Sequence, residues 1–145
     1  MPSTTPDLLP AQEIFRDAKP GIRYYLLLKT LPKLPATVSP RPYIDEMDRV
    51  LSELYDTQAK AIKLESQGKG QLAMRLYWQL VTAQFDDPHP FLRLVDYYKS
   101  QNEQEKIATV CKTYLQMTDT LNDLGYEQPY RKSLATVFAE MLQKT

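Results

Sequence analysis

Residues 61–80, AIKLESQGKGQLAMRLYWQL, align without a gap on residues 95–114, VDYYKSQNEQEKIATVCKTY, at an offset of 34 residues. The matched pairs are Leu64 with Tyr98, Ser66 with Ser100, Gln67 with Gln101, Gly68 with Asn102, Ala73 with Ile107, Tyr77 with Cys111, and Leu80 with Tyr114. A fixed period of this size indicates one supersecondary unit used twice, each copy covering the apolar face of its neighbour. Modules of this kind usually bind other macromolecules.

Apolar residues around these stretches recur with the period of a helical face. They predict five helices: Tyr43 to about Gln67, Gln71–Phe85, about Pro90–Gln101, Glu103–Leu124, and Pro129–Gln143. The side chains predicted to face the core include Leu72 in the second helix and Val137 in the fifth. Since the only candidate strand is the ambiguous apolar run Tyr24–Leu28, the predicted fold class is all-α.

Turn residues support these helix limits. Gly68 and Gly125 supply the left-handed backbone that closes a helix. Asp87 is a predicted N-cap, because a proline follows it at the first helical position. Asn102 marks a tight turn between the third and fourth helices.

Proline divides the chain into two regions. Eight of the eleven prolines lie within residues 1–42, and none lies between Tyr43 and Asp87. Because proline fixes φ and lacks a backbone donor, we predict a partly ordered, proline-rich N-terminal arm at 1–42 and a helical domain at 43–145. Within the arm, Ala11–Lys19 is predicted as about two turns of helix ended by Pro20-Gly21. Ile22–Leu31 is predicted as a helix that docks on the domain.

Composition excludes several classes of protein. Lys plus Arg equals Asp plus Glu, so no overall field attracts nucleic acid or anionic lipid. We attribute the uneven distribution, net +3 in the arm and −3 in the remainder, to chance rather than to docking of the arm on an acidic body. The N-terminus lacks the regions of a signal peptide, and no apolar run approaches the ~20 residues of a membrane span. We expect a cytoplasmic protein.

A known repeat pattern consists of an aromatic residue, a leucine, a tyrosine, a small residue, a second aromatic residue and an alanine. The second copy fills these positions, in this order, with Phe91, Leu94, Tyr98, Ile107, Cys111 and Tyr114. In the first copy Leu64, Ala73, Tyr77 and Leu80 match, and Thr57 stands where the aromatic belongs. Over residues 54–121 the unit resembles a tetratricopeptide repeat of a bacterial-type variant with a longer acidic, proline-rich connection. The resemblance implies a short right-handed array of antiparallel helix pairs, with Pro129–Gln143 as a C-terminal capping helix.

The same resemblance implies a partner-binding groove lined by the first helix of each pair. The groove positions are Tyr55, Gln58, Ile62, Glu65 and Ser66 in the first copy, and His89, Leu92, Asp96, Lys99 and Ser100 in the second. Relatives that clamp a peptide carboxylate have Lys and Asn where this chain has Gln58 and Ile62, so we do not expect that activity. The predicted partner is another protein or peptide, and a homodimer is an open alternative.

Trp78 is a candidate second surface. The helical period turns it about 100° away from Tyr77, so it should lie near the rim of the core. Exposed tryptophan is enriched at interfaces. Coverage of Trp78 by the N-terminal arm is an equal alternative.

Neither a metal nor a cofactor is expected. His89, the only histidine, lies beside Asp86 and Asp87, and we expect it to be solvated next to a helix cap, because no second cluster would complete a metal shell. The single cysteine, Cys111, is predicted to be buried, which disfavours a reactive thiolate and excludes an internal disulfide. The four glycines form no phosphate loop.

A nucleic-acid site is also not expected. The segment Arg23-Tyr24-Tyr25 with Lys29 and Lys33 could contact a single strand, but no clustered basic face accompanies it. The prediction is therefore a non-enzymatic interaction module acting in assembly, as an adaptor or as a scaffold. The alternatives are a structural subunit of a homo-oligomer and, less favoured, a single-stranded nucleic-acid binder or a small enzyme.

Overall fold

The computed structural model describes residues 10–144, and these contain six α-helices, one 3-10 turn at Leu31–Lys33 and no strand. The helices are α1 Pro20–Thr30, α2 Arg41–Ser66, α3 Gly70–Thr82, α4 Pro88–Ser100, α5 Gln104–Asp123 and α6 Pro129–Gln143. Each helix packs against the next in sequence, and α1 and α3 also contact α5. The all-α prediction is confirmed for this part of the chain. None of these helices combines the length and hydropathy needed to cross a bilayer.

Helix ends follow the local signals in the sequence. Asp87 caps α4, because its Oδ1 accepts the N–H of His89 at 2.9 Å while Pro88 occupies the first turn. Helix α2 ends at Ser66, one residue before the predicted limit. Helix α3 ends at Thr82 rather than at Phe85, because Gln84 takes a left-handed backbone with φ of 54°.

The two turns related by 34 residues have the same backbone structure. Gly68 and Asn102 both have positive φ, 77° and 55° respectively. The same hydrogen bonds close both helices: Gly68 N–H to Glu65 O and Lys69 N–H to Leu64 O in one, Asn102 N–H to Lys99 O and Glu103 N–H to Tyr98 O in the other. This pair of bonds is the usual closure of a helix by a left-handed residue. The similarity in sequence therefore corresponds to a similarity in local structure.

Replacing Gly68 by valine is expected to lower the unfolding free energy by about 1–2 kcal/mol, because a β-branched residue is strained in left-handed backbone. No atom beyond the two neighbouring residues lies within 4 Å of a Cβ at this position, so the cost comes from the local backbone alone. Urea denaturation measures the difference. Gly68→Asn is the control and should lose less, since asparagine already occupies the equivalent turn. Equal losses in the two variants would contradict the left-handed backbone at residue 68.

The predicted helix at Ala11–Lys19 is wrong. Residues 11–17 form successive turns, and Pro20-Gly21 begins α1 instead of ending a helix. In a helix, the carbonyl of Arg16 would accept an N–H from residue 20, which is proline and has none. The Arg23 guanidinium serves this carbonyl instead, donating from Nη2 at 2.9 Å. It also donates to the carbonyls of Phe15 and Ala18, which stabilises the irregular segment.

Helix α1 docks on the rest of the protein, as expected for the apolar run Tyr24–Leu28. Leu27 and Ile22 are buried, and Ile22 belongs to the main apolar cluster. At the N-terminus of α1, Gly21 N–H donates to Ala83 O at 2.8 Å. At its C-terminus, Lys29 Nζ donates to Leu124 O at 2.6 Å. Helix α1 therefore connects the loops that follow α3 and α5.

Two side chains predicted to face the core, Leu72 and Val137, are exposed. In α3 the buried sector instead includes Met74, because the neighbouring helices cover the side of α3 that carries Ala73 and Tyr77. Helix α6 is the last helix and packs mainly on α5. Only part of its apolar surface is covered, and Val137 lies outside that part.

Candidate protein-binding groove

Side-chain contacts connect α2 with α4, and their order shows that the two helices run in the same direction. Gln58 Nε2 on α2 donates to Asp87 Oδ2 at 3.2 Å, at the start of α4. Seven residues further along α2, Glu65 pairs with Arg93, which lies six residues beyond Asp87. The second contact lies nearer the C-terminus than the first on both helices, as it must when two helices are parallel.

Residues at both ends of α4 also lie close to α6. Asp86, immediately before α4, pairs with Arg131 in the first turn of α6. At the opposite end, Lys99 of α4 lines a pocket with Val137 and Met141 of α6. The three even-numbered helices thus form one surface, which we call the groove face.

Exposed large apolar side chains concentrate on these three helices. Six of the seven in the described residues lie there: Ile44, Tyr55, Ile62, Leu92, Tyr130 and Val137. Tyr55 and Ile62 are 51% and 46% exposed and lie two helical turns apart on one side of α2. Leu92 on the neighbouring α4 is 39% exposed. Apolar side chains gathered on one surface indicate an interaction site more than scattered ones do.

A polar cluster connects α2, α3 and α4 beside these apolar residues. Glu65 accepts hydrogen bonds from Tyr77 Oη at 2.8 Å and from Arg93 Nη2 at 2.6 Å. Arg93 also donates to Asp96 Oδ2 at 3.2 Å. His89 Nε2 lies 3.1 Å from Tyr77 Oη. We call Glu65, Tyr77, His89 and Arg93 the polar clamp, because they hold three helices at a defined separation.

His89 is half-buried in the polar clamp, not solvated as expected. Its ring packs edge-on against Tyr77 with centroids 5.4 Å apart. The single hydroxyl proton of Tyr77 is donated to Glu65, so Nε2 of His89 must be the donor in its own contact with Tyr77. The described residues contain no group of three or more His, Cys, Asp or Glu that could hold a metal ion.

The hydrogen bond from Arg93 holds the pKa of the Glu65 carboxyl below its usual value, partly opposed by burial and reinforced by the Tyr77 hydroxyl. The same pair raises the pKa of the Arg93 guanidinium. Burial, and then the contact with Glu65, raises the pKa of Tyr77. The clamp is therefore ionised on Glu65 and Arg93 and neutral on Tyr77 near neutral pH.

The Glu65 contribution to stability should disappear in acid. A carboxyl whose folded pKa lies below its unfolded value of about 4.5 stabilises the fold above that pH, and the effect is lost as pH falls through the folded pKa. Glu65→Gln should lower the unfolding free energy at pH 7 by about 1 kcal/mol. It should also make the unfolding free energy fall less steeply as the pH is lowered below about 4.5. Urea titrations across this range measure the slope. Glu127→Gln, at an exposed position, should keep the wild-type slope, and identical slopes in all three proteins would exclude the effect.

Some of the predicted groove residues are connected by hydrogen bonds in the structure, and others lie apart from them. Gln58, Glu65, His89 and Asp96 are linked through Asp87, Tyr77 and Arg93, as described above. Tyr55 packs edge-on against Phe85, with ring centroids 5.1 Å apart, and keeps its other side exposed. Lys99 lies at the far end of α4 beside α6.

The hydroxyls of Ser66 and Ser100, two of the predicted groove residues, are exposed and also bond to their own helices. Each donates its hydroxyl to a carbonyl three residues earlier, Lys63 O and Tyr97 O, at 2.6 Å in both cases. These bonds are again related by 34 residues. The two serines help to close their helices.

Sequence reasoning missed a buried charged cluster between α1, α4 and α6. Asp86 accepts hydrogen bonds from Tyr25 Oη at 2.5 Å and Tyr130 Oη at 3.1 Å, and its Oδ1 lies 3.0 Å from Arg131 Nε. The last contact has the distance of an ion pair without hydrogen-bond alignment. The Arg131 side chain is only 1% exposed. Burial and the neighbouring Asp86 raise the pKa of Tyr25, which keeps this phenol neutral.

One signal for this cluster was present in the sequence. Arg131 precedes Phe138 by seven residues, so both lie on the same side of α6, and a phenylalanine on an amphipathic helix favours the core. A charged residue in register with a core position indicates a buried partner. Nothing in the sequence identified Asp86 as that partner.

Trp78 lies half-buried at the edge of a shallow pocket. Its Nε1 donates to Tyr98 Oη at 2.5 Å, and the two ring centroids are 5.9 Å apart. Lys19 and Pro20 line the same pocket, together with Arg75. Within residues 10–42, the N-terminal arm reaches the rim of this surface through Lys19 and Pro20 and leaves the pocket open.

Cys111 is buried against the Met141 thioether, with the two sulfur atoms 3.9 Å apart. Burial raises the pKa of its thiol to about 11. The thiol is therefore protonated near neutral pH, and it behaves as a small apolar core residue.

Comparison of the chain with protein-family models, with curated proteins and with solved structures gives no match.

Proposed function

We propose that this protein is a non-enzymatic protein-binding module that holds a segment of another protein on the groove face. The observation that carries the proposal is the position of Tyr55, Ile62 and Leu92. These are large apolar side chains left in solvent on neighbouring helices that run in the same direction. Hydration of these exposed apolar side chains is unfavourable in free energy, and a partner that covers them would remove this cost.

The arrangement of the helices supports a tetratricopeptide-like assignment within this proposal. Helix pairs α2–α3 and α4–α5 are the two repeats, and α6 is the capping helix. The identical closing bonds at Gly68 and Asn102 support the pairing. The common direction of α2, α4 and α6 supports a stack in which the first helix of each unit lines the concave side.

The expected partner segment carries apolar side chains flanked by uncharged polar ones. Full burial of an aliphatic side chain contributes about 1.5–3 kcal/mol, so covering the exposed half of Ile62 or Leu92 contributes about 1 kcal/mol each. Micromolar affinity corresponds to about 8 kcal/mol, so Tyr55 and several hydrogen bonds must also take part. The exposed Asp96 carboxylate and the Lys99 amine are available for such bonds.

The double variant Ile62→Glu, Leu92→Glu tests the proposal. Proteins captured from the source cell by the wild-type chain are identified, purified, and titrated against each variant. The double variant should bind at least about tenfold more weakly, because it places charges in an apolar contact. Leu72→Glu is the matched control, since Leu72 is 47% exposed but lies on α3, outside the groove face. Equal binding by the double variant and the control would refute the groove as the binding site.

The structural-subunit alternative is favoured by one observation, the exposed Val137 on the last helix. A second copy could cover this residue. Sedimentation at micromolar concentration separates the two functions, because a monomer excludes the homo-oligomer.

A further inference from the structure

We propose that the open pocket around Trp78 is a second docking site, separate from the groove face, for an acidic peptide segment that carries an aromatic or aliphatic side chain. The pocket encloses about 460 Å³. Its lining residues are Lys19, Pro20, Arg75, Trp78, Gln79, Thr82 and Ala83. No groove-face residue takes part, so the proposal does not depend on the function proposed above.

The charge of the pocket selects the partner. Helix α3 contains no acidic residue from Gly70 to Thr82, and the pocket lining contains none. Lys19 and Arg75 are exposed, and neither takes part in an ion pair within residues 10–144. By contrast, Arg23, Arg49, Arg93 and Arg131 each have a carbonyl or carboxylate partner. Two free cations around an apolar floor complement carboxylates that flank an apolar side chain.

Trp78 is positioned to make the apolar contact. Its only donor, Nε1–H, is already used by Tyr98, so the indole has no polar group left to satisfy. The Tyr98 ring supports one side of the indole, and the pocket leaves another part of it open. A large aromatic side chain held in one orientation loses little entropy on binding, which is why tryptophan so often dominates interface energetics.

A nucleic-acid strand fits this pocket less well than an acidic peptide. Single strands are bound along a run of cations that follows the phosphates. The pocket offers two cations, and the protein has no net charge. A peptide needs only a few carboxylates around one anchoring side chain.

Trp78 is the only tryptophan, so its fluorescence reports on the pocket directly. The probe is a short amidated peptide with a central phenylalanine flanked by glutamates, titrated into the full chain at low salt. We expect a saturable change in emission and an affinity that falls as salt is added. Lys19→Glu and Arg75→Glu should each weaken binding about tenfold. Lys112→Glu is the control, since Lys112 is exposed on α5 at the position equivalent to Trp78, and it should bind as the wild type does.

Four outcomes would overturn the proposal. They are no saturable change up to about millimolar peptide, equal binding of a peptide with glutamines in place of the glutamates, equal binding by Arg75→Glu, and tighter binding of oligothymidine than of the peptide. Retention of peptide binding by Ile62→Glu, Leu92→Glu is the expected result that separates this site from the groove face. Loss of peptide binding in that double variant would also count against a separate pocket.

Discussion

Replacing Gly21 by alanine is expected to lower the unfolding free energy by about 3 kcal/mol, because the added methyl group has no room. A Cβ at this position would lie 1.9 Å from Gln84 O and 2.9 Å from Phe85 N. Both are backbone atoms, so the contact cannot be relieved by rotating a side chain. Helix α1 would have to move away from the loop after α3, which breaks the 2.8 Å bond from Gly21 N–H to Ala83 O.

The sign of this effect distinguishes packing from helix propensity. Alanine replacing glycine within a helix normally stabilises by up to about 1 kcal/mol. Gly70→Ala is the matched control, since Gly70 also lies in the first turn of a helix and no atom outside its own helix and chain neighbours lies within 4 Å of its Cβ position. Urea denaturation should show a gain or no change for Gly70→Ala and a large loss for Gly21→Ala. Similar results at both glycines would mean that α1 does not contact the Gln84 backbone as described.

Asp86→Ala is expected to cost about 3–5 kcal/mol, because it leaves the Arg131 guanidinium buried without its counter-charge. It also removes the acceptor for the Tyr25 and Tyr130 hydroxyls. Asp86 joins α1, the start of α4 and α6, so the loss should reduce the stability of the whole chain. Chemical denaturation followed by circular dichroism measures it. Asp119→Ala, at an exposed position on α5, is the control and should change stability by less than about 0.5 kcal/mol.

A double-mutant cycle identifies the source of that loss. Replacing both members, as Asp86→Ala with Arg131→Met, removes the unpaired charge and should recover part of the stability lost in Asp86→Ala. The hydroxyls of Tyr25 and Tyr130 would still lack an acceptor, so recovery should be incomplete. Strict additivity of the two single effects would show that Asp86 and Arg131 do not interact.

These two sites also determine the geometry of the groove face. Asp86 sets the position of α6 relative to α4, and Gly21 lets α1 approach the loop between α3 and α4. If the groove face binds a partner as proposed, a protein that remains folded with either contact weakened should bind that partner less tightly, because the apolar side chains of α2, α4 and α6 would no longer be held in register. Affinity measured at a temperature where the variant is still folded tests this connection.

Most of the helices, the cap at Asp87 and the equivalence of the turns at Gly68 and Asn102 could be predicted from the amino-acid order alone. A helix end depends on the backbone torsions of a few consecutive residues. Proline fixes φ, aspartate caps free N–H groups, and glycine or asparagine accepts left-handed backbone. For this reason Asp87, Gly68 and Asn102 were interpreted correctly without knowledge of any distant residue. Apolar periodicity likewise identified which segments are helical.

Other features depended on groups far apart in the chain. Gly21 resembled a helix terminator beside Pro20, but its lack of a side chain serves a close backbone approach to Gln84. Leu72 was expected in the core in place of Met74, because periodicity identifies an apolar side but not how much of it a neighbouring helix covers. The Asp86–Arg131 pair joins residues that are 45 positions apart. Burial and charge pairing are properties of the packed arrangement, whereas torsional preferences belong to each short segment.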